Sequence, residues 1–186
     1  GALASKSAVD SIQAYLENHY FDMPEDALKA AIEYANSVVY RKSRENAEYQ
    51  GMGTTIVMAM VRNDKFHYAH VGDSRLYRFR EGILTQLSRD HSLSEMTNNP
   101  DVPKNIIVNS FGAGKKIFFD FEDISQRIMN DDKILLCSDG LNNELTDDEI
   151  EPILTNENDS SLLVDAAKNK EGKDNISVVI VHYSNE

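Results

Sequence analysis

The spacing of apolar residues changes at Gly51-Met52-Gly53, and this switch most constrains the fold. Before it, Ala4, Ala8, Ile12, Leu16 and Tyr20 recur at every fourth position, which places them on one face of a helix. Asp22 and Pro24 then restart a helix, with the proline in its first turn. Its apolar stripe is Leu28, Ala31, Ile32, Ala35, Val38 and Val39. Two amphipathic helices, packed side by side, are predicted. After the glycines, "TTIVMAMVR" is rich in β-branched residues and reads as a buried strand.

"KFHYAHV", "RLYRF" and "ILTQLS" follow, separated by Asn63-Asp64, Gly72-Asp73 and Glu81-Gly82. Connections this short predict an antiparallel meander. "SLSEMTNNPDVPKN" reads as a loop or a short exposed helix. "IFFDFEDI", "KILLCSD" and "NISVVIVHY" are further strands. Between the last two, Thr146 and Glu149 match a capping box, and a second helix runs near Ser161 to Lys170. Helices, strands, helices, strand is an α+β order, with antiparallel sheet covered by helices.

The chain has 186 residues, enough for one domain with its own core. A net charge of -12 repels nucleic acid and anionic lipid, so neither is an expected partner. The single cysteine, Cys137, excludes an internal disulfide and favours a reducing, cytoplasmic setting. No apolar run reaches membrane-spanning length.

Asp73 and Asp139 each follow an apolar strand, and Asp174 immediately precedes one. Carboxylates at strand ends are held by rigid backbone. If the strands are neighbours, the three converge, repel one another and raise their pKa values unless a cation sits among them. Oxygen-only donors suit hard divalent ions such as Mg²⁺ or Mn²⁺. Each aspartate alone also fits an ordinary turn, and both readings stand at this point.

Other residues invite weaker readings. A cysteine phosphatase needs an arginine six residues after its thiolate, and that position holds Asn143. Cys137 therefore reads as a small core residue. His67, Asp90 and His91 form a triad only on paper. His67 and His70, three apart in a strand, point to opposite faces. His91 and Ser92 suit loop packing, Arg75 a structural ion pair, and Asp131-Asp132 a polar turn.

The ordered set "GMGTTIVMAMV", "HVGDSRLYRF", "LTQLSRDHSL", "ILLCSDGLNNEL" and "GKDNISVVIVHY" resembles the metal-dependent protein phosphatases of type 2C, over Gly1 to Tyr183. The resemblance implies one catalytic domain over 1–186, an α-β-β-α sandwich of two antiparallel sheets flanked by helix pairs. It implies hydrolysis of phosphoserine and phosphothreonine in proteins, opposing a serine/threonine kinase. Two Mg²⁺ or Mn²⁺ ions are expected, with a third at a weaker site. By motif, Asp139 of "SDG" and Asp174 of "KDN" correspond to ligands of the metal pair. Asp73 of "VGDSR" corresponds to a ligand, shared with Asp139, of the third ion. The attacking group is then a metal-activated water rather than a side chain. Asn175 is expected to orient Asp174 from behind, or simply to cap the strand. No residue for the substrate phosphate can be named.

The family's N-terminal hairpin, with its phosphate-holding arginine, has no counterpart from Gly1 onward, and neither has the first Asp-Gly motif. The expectation is a natural protein longer than this chain. The alternative is an inactive domain of the same fold that binds a phosphoprotein or regulatory partner.

Overall fold

The computed structural model describes residues 1–99, 101–103, 106–156 and 158–184. It has helices α1 (Ala2–Asn18), α2 (Pro24–Glu45), α3 (Leu93–Thr97), α4 (Asp139–Asn142), α5 (Asp147–Asn156) and α6 (Ser160–Lys170). Its strands are β1 (Ile56–Arg62), β2 (Lys65–Val71), β3 (Arg75–Arg80), β4 (Ile83–Gln86), β5 (Asp120–Asp123), β6 (Lys133–Cys137) and β7 (Val178–His182). They form two antiparallel sheets, ordered β1-β2-β5 and β4-β3-β6-β7, so the α+β class expected from the sequence is the one the chain adopts. The chain divides into two compact units. One comprises Gly1–Gly72 with His91–Asp123, the other Asp73–Asp90 with Ile124–Glu186.

In the first unit, α1 and α2 join their apolar stripes in one core with Ala69, Val71 and Phe111 of the sheet side. Alanines at Ala4, Ala8, Ala31 and Ala35 leave room for the helices to lie close, and Lys42 Nζ donates to Ser7 Oγ at 2.9 Å across them. Pro24 opens α2 where its missing N–H costs nothing, and Glu25 and Asp26 face the positive helix end. Tyr20 departs from the predicted stripe: α1 stops at Asn18, the chain turns extended at His19, and Tyr20 is 83% exposed.

The β1–β2 hairpin turns through Asn63 and Asp64, both in the left-handed region that short polar residues tolerate. "TTIVMAMVR" is only partly buried, because β1 is an edge strand that begins at Ile56. The buried strand is β2, from Phe66 to Val71. The predicted meander is also corrected. The second neighbour of β2 is β5, with His70 opposite Asp120, whereas β3 pairs with β4 and β6. Gly72-Asp73 is thus a passage from one sheet to another rather than a hairpin turn. Apolar alternation reports which face of a strand is buried but not which strand lies at its edge.

"IFFDFEDI" contributes only the four residues of β5. The segment after "LSRDHS" forms α3, capped by Ser92 and ended by Asn98 in the left-handed region. The remainder of that prediction falls partly on Pro100, Lys104 and Asn105, outside the described residues.

In the second unit, Tyr77, Leu135, Leu141, Ile150, Leu154 and Leu163 form the core beneath α5 and α6. The predicted capping box is present, with Thr146 N–H and Oγ1–H both donating to Glu149 Oε2, at 2.9 and 3.0 Å. Asp131-Asp132 is more than a polar turn. Asp132 is fully buried and accepts from Arg80 Nε and Nη2, each at 2.7 Å, and from Met129 N–H at 2.8 Å. Burial alone would push this carboxyl up, but the guanidinium and the backbone N–H outweigh it and hold it below the ordinary value. Its stabilising effect is therefore complete above the ordinary aspartate range and is lost as acid protonates it. Asp132→Asn is expected to lower the unfolding temperature by about 5 °C at neutral pH. The gap from wild type should narrow below about pH 4, measured by thermal melts across pH.

Candidate metal centre

The site is built where β6 ends and β7 begins. Their register closes at Cys137 opposite Val178, and the pairing continues past both strands through other groups. Ser138 N–H donates to Ser177 O at 3.0 Å, and Ser177 N–H donates to Ser138 Oγ at 3.0 Å. Ser138 Oγ–H in turn donates to Asn175 O at 3.1 Å. Gly140 then packs directly on the Asn175 backbone: a Cβ there would stand 2.5 Å from Asn175 O. Only glycine permits this approach, which is why "SDG" ends the strand as it does. Asp139 and Asp174 are thereby carried on two segments that are tied together.

Asp73 reaches the same end of the sheet along β3, because Arg75 lies opposite Cys137 in the β3–β6 register. The three aspartates interact electrostatically. Burial and then the charge of Asp139 push the Asp73 carboxyl up to about 6. Burial and then the charge of Asp174 raise Asp139. Among the described residues, no lysine or arginine forms a salt bridge with any of the three. Arg75, close to Asp73, is engaged elsewhere. It grips Asp90 through Nε and Nη2, at 2.9 and 2.7 Å, and donates to Tyr77 Oη at 2.9 Å. That is the structural ion pair the sequence suggested.

The carboxylates form an open set, not closed to within 4.8 Å of one another. Among the described residues only His70, His91 and Asp120, in the first unit, present ligand atoms that close. Sequence reasoning missed Asp120, which interrupts the apolar residues of "IFFDFEDI" and looks like a solvent-facing residue of a strand. The paper triad does not form, since Asp90 belongs to Arg75 and His67 stacks on Phe121 at 5.4 Å. Asn175 holds Asp174 through its backbone N–H, 2.6 Å from Oδ1. Asn143 also went unread: its Nδ2 donates to Asp139 Oδ2 at 3.3 Å, and the spacing of four on a helical turn was the available signal. Cys137 is buried in the core, where burial pushes its thiol up to about 12, far from a nucleophile's range.

Three acidic residues, from "VGDSR", "SDG" and "KDN", thus lie at one end of a sheet in a chain of two antiparallel sheets and helices. The protein phosphatase 2C family model matches residues 1–162, and the chain belongs to that family. The serine/threonine phosphatase Stp of Listeria monocytogenes is 32% identical over 170 residues, covering 83% of this chain and 66% of that protein. The chain therefore spans about two thirds of the length of that relative. The structure of the serine/threonine phosphatase Stp1 from Staphylococcus aureus is 29% identical, with a TM-score of 0.84 over 98% of this chain and 78% of that one. The catalytic domain of the phosphatase PstP, solved with two manganese ions, shares the fold with a TM-score of 0.83 at 24% identity, over 100% of this chain and 82% of that one. Among the described residues no helix is long and apolar enough to cross a membrane.

Two outcomes follow from the crowding of charge. A carboxyl with a raised pKa destabilises the fold once ionised, above about 6 for Asp73, and has no such effect below the ordinary aspartate range. The nominal cost of such a shift is about 2–3 kcal/mol, and solvent screening of a half-exposed group leaves on the order of 1 kcal/mol. In chelator, Asp73→Asn should therefore be more stable than wild type at pH 7.5 by that amount, with the gain vanishing near pH 4 in thermal melts. Gly140→Ala should destabilise the protein by on the order of 1–3 kcal/mol in denaturant titration, because the new methyl meets backbone rather than a movable side chain.

Proposed function

We propose that this chain, as a single domain over 1–186, acts in a metal-dependent protein serine/threonine phosphatase that hydrolyses phosphoserine and phosphothreonine. The observation that carries the reading is the gathering of Asp73, Asp139 and Asp174, with raised pKa values at the first two and, among the described residues, no salt bridge to a lysine or arginine, the nearby Arg75 being paired with Asp90. An all-oxygen, negatively charged donor set fits a hard divalent cation. Asp139 and Asp174 would hold a pair of Mg²⁺ or Mn²⁺ ions, and Asp73 with Asp139 a third. Such ions, when bound, supply a water acidic enough to ionise near neutral pH and positive charge against the phosphoryl oxygens.

The chain's own residues prepare that chemistry. Asn143 Nδ2 orients the Asp139 carboxylate, and the Asn175 backbone N–H orients Asp174. The Ser138–Asn175 and Ser138–Ser177 bonds keep the two carriers in register, so little has to reorganise when charge arrives. Neither Cys137, with its elevated thiol pKa, nor any other side chain serves as nucleophile, so no phosphoenzyme accumulates. Arg75 does not hold the substrate phosphate, being committed to Asp90. The substrates are phosphoproteins made by an opposing serine/threonine kinase, in a reducing, cytoplasmic setting that suits the lone cysteine.

The test is Mn²⁺-dependent hydrolysis of a phosphothreonine peptide by the full-length gene product. Asp139→Asn and Asp174→Asn should each reduce the rate about a hundredfold. Equal rates for wild type and Asp139→Asn would overturn the assignment. A full-length wild type that binds phosphopeptide without turning it over would establish the binding module instead.

A further inference from the structure

In the first unit, His91 holds Gly72 at two points. The His91 backbone N–H donates to Gly72 O at 2.7 Å, and the Gly72 N–H donates to His91 Nδ1 at 3.1 Å. Asn109 Nδ2 also points at Nδ1, at 2.8 Å, with its amide oriented by donation to Phe118 O at 2.7 Å. Nδ1 thus faces two donors and carries no proton. The ring proton is on Nε2, which donates to Asp120 Oδ2 at 3.1 Å. Asp120 lies opposite His70 in the β2–β5 register, and His70 Nδ1 comes within 4.0 Å of the same oxygen, an electrostatic approach rather than a hydrogen bond. His70 is fully buried, with neither ring nitrogen hydrogen-bonded. The two imidazoles, His70 first, hold the Asp120 carboxyl below its ordinary value.

A metal ion is not the occupant this geometry favours. An ion on His91 Nε2 would displace the ring's one proton while Nδ1 still faced N–H donors. A metal-bound histidine instead donates from its second nitrogen. The cluster looks outward along the chain, to Gly72. That residue has φ of +105°, and a Cβ on it would stand 2.1 Å from Thr55 Cγ2. Only glycine can occupy the position, and glycine is the residue least able to fix its own backbone.

We propose that His91 is a positioning residue for Asp73: with its tautomer set by Asp120, it clamps the peptide of Gly72 and so fixes the direction in which the chain enters the next residue. The inference rests on the reading of Asp73 as a metal-binding carboxylate.

Two near-isosteric variants separate the roles of the ring. His91→Asn retains an acceptor in the place of Nδ1 and loses the reach to Asp120; His91→Gln does the reverse. By NMR of the full-length protein, the Gly72 amide should exchange slowly in wild type and His91→Asn, and at least about tenfold faster in His91→Gln. The Mn²⁺ concentration for half-maximal phosphopeptide hydrolysis should rise about tenfold in His91→Gln and less than about threefold in His91→Asn. In an Asp73→Asn background, His91→Gln should add nothing to that requirement. Asp120→Asn, at a half-exposed site that tolerates the change, should raise it about threefold by the same dependence on Asp73, and carries the test if His91→Gln does not fold. Unchanged Gly72 exchange in His91→Gln, or effects that add to Asp73→Asn, would overturn the proposal. So would a tightly held metal ion in the purified protein that His70→Ala removes. Absence of Mn²⁺-dependent hydrolysis in wild type would defeat the functional reading alone, leaving amide exchange to judge the clamp.

Discussion

Uncompensated negative charge at one end of the second sheet is the constraint around which this chain is organised. Several carboxylates elsewhere have an arginine or lysine of their own: Asp90 has Arg75, Asp132 has Arg80, Asp123 has Lys65 and Glu149 has Lys170. Asp73, Asp139 and Asp174 are treated differently. Asp139 is within electrostatic reach of both Asp73 and Asp174, and among the described residues none of the three forms a salt bridge with a lysine or arginine, Arg75 beside Asp73 being paired with Asp90. Asp73 and Asp139 are half-buried, where repulsion between carboxylates is felt most, and Asp174 beside them is exposed.

What holds the carboxylates there is mostly backbone. Ser138, Asn175 and Ser177 bind through peptide groups and one hydroxyl, and Gly140 packs on the Asn175 backbone too closely for a Cβ. Backbone placement suits acidic ligands, because side-chain partners strong enough to position a carboxylate would also neutralise it. Asn143 and the Asn175 N–H are neutral donors, which orient without cancelling charge. The same economy is seen at Gly72, where an imidazole nitrogen and two N–H groups do the fixing.

Legibility in the sequence varied with how local each feature was. The opening helices, the capping box at Thr146 and the structural role of Arg75 could be read from spacing and residue type, and the structure bears them out. The three aspartates were readable because each sits against an apolar run. Asp120 was not, because it interrupts such a run and looks like a solvent-facing residue of a strand. Asp132 was misread for the opposite reason: beside Asp131 it looked solvated, yet it is buried against an arginine from another hairpin.

By itself, the sequence determined the order of elements, the residues at their ends and, through five motifs in one order, the family to which the chain belongs. Tertiary structure alone decided that β2 pairs with β5 rather than β3, that Gly72-Asp73 passes between sheets, and that His91, Asp120 and Gly72 meet. The physical reason is range. Periodicity and turn chemistry act between residues a few positions apart, whereas strand pairing and buried hydrogen bonds join segments whose meeting depends on the packing of everything between them.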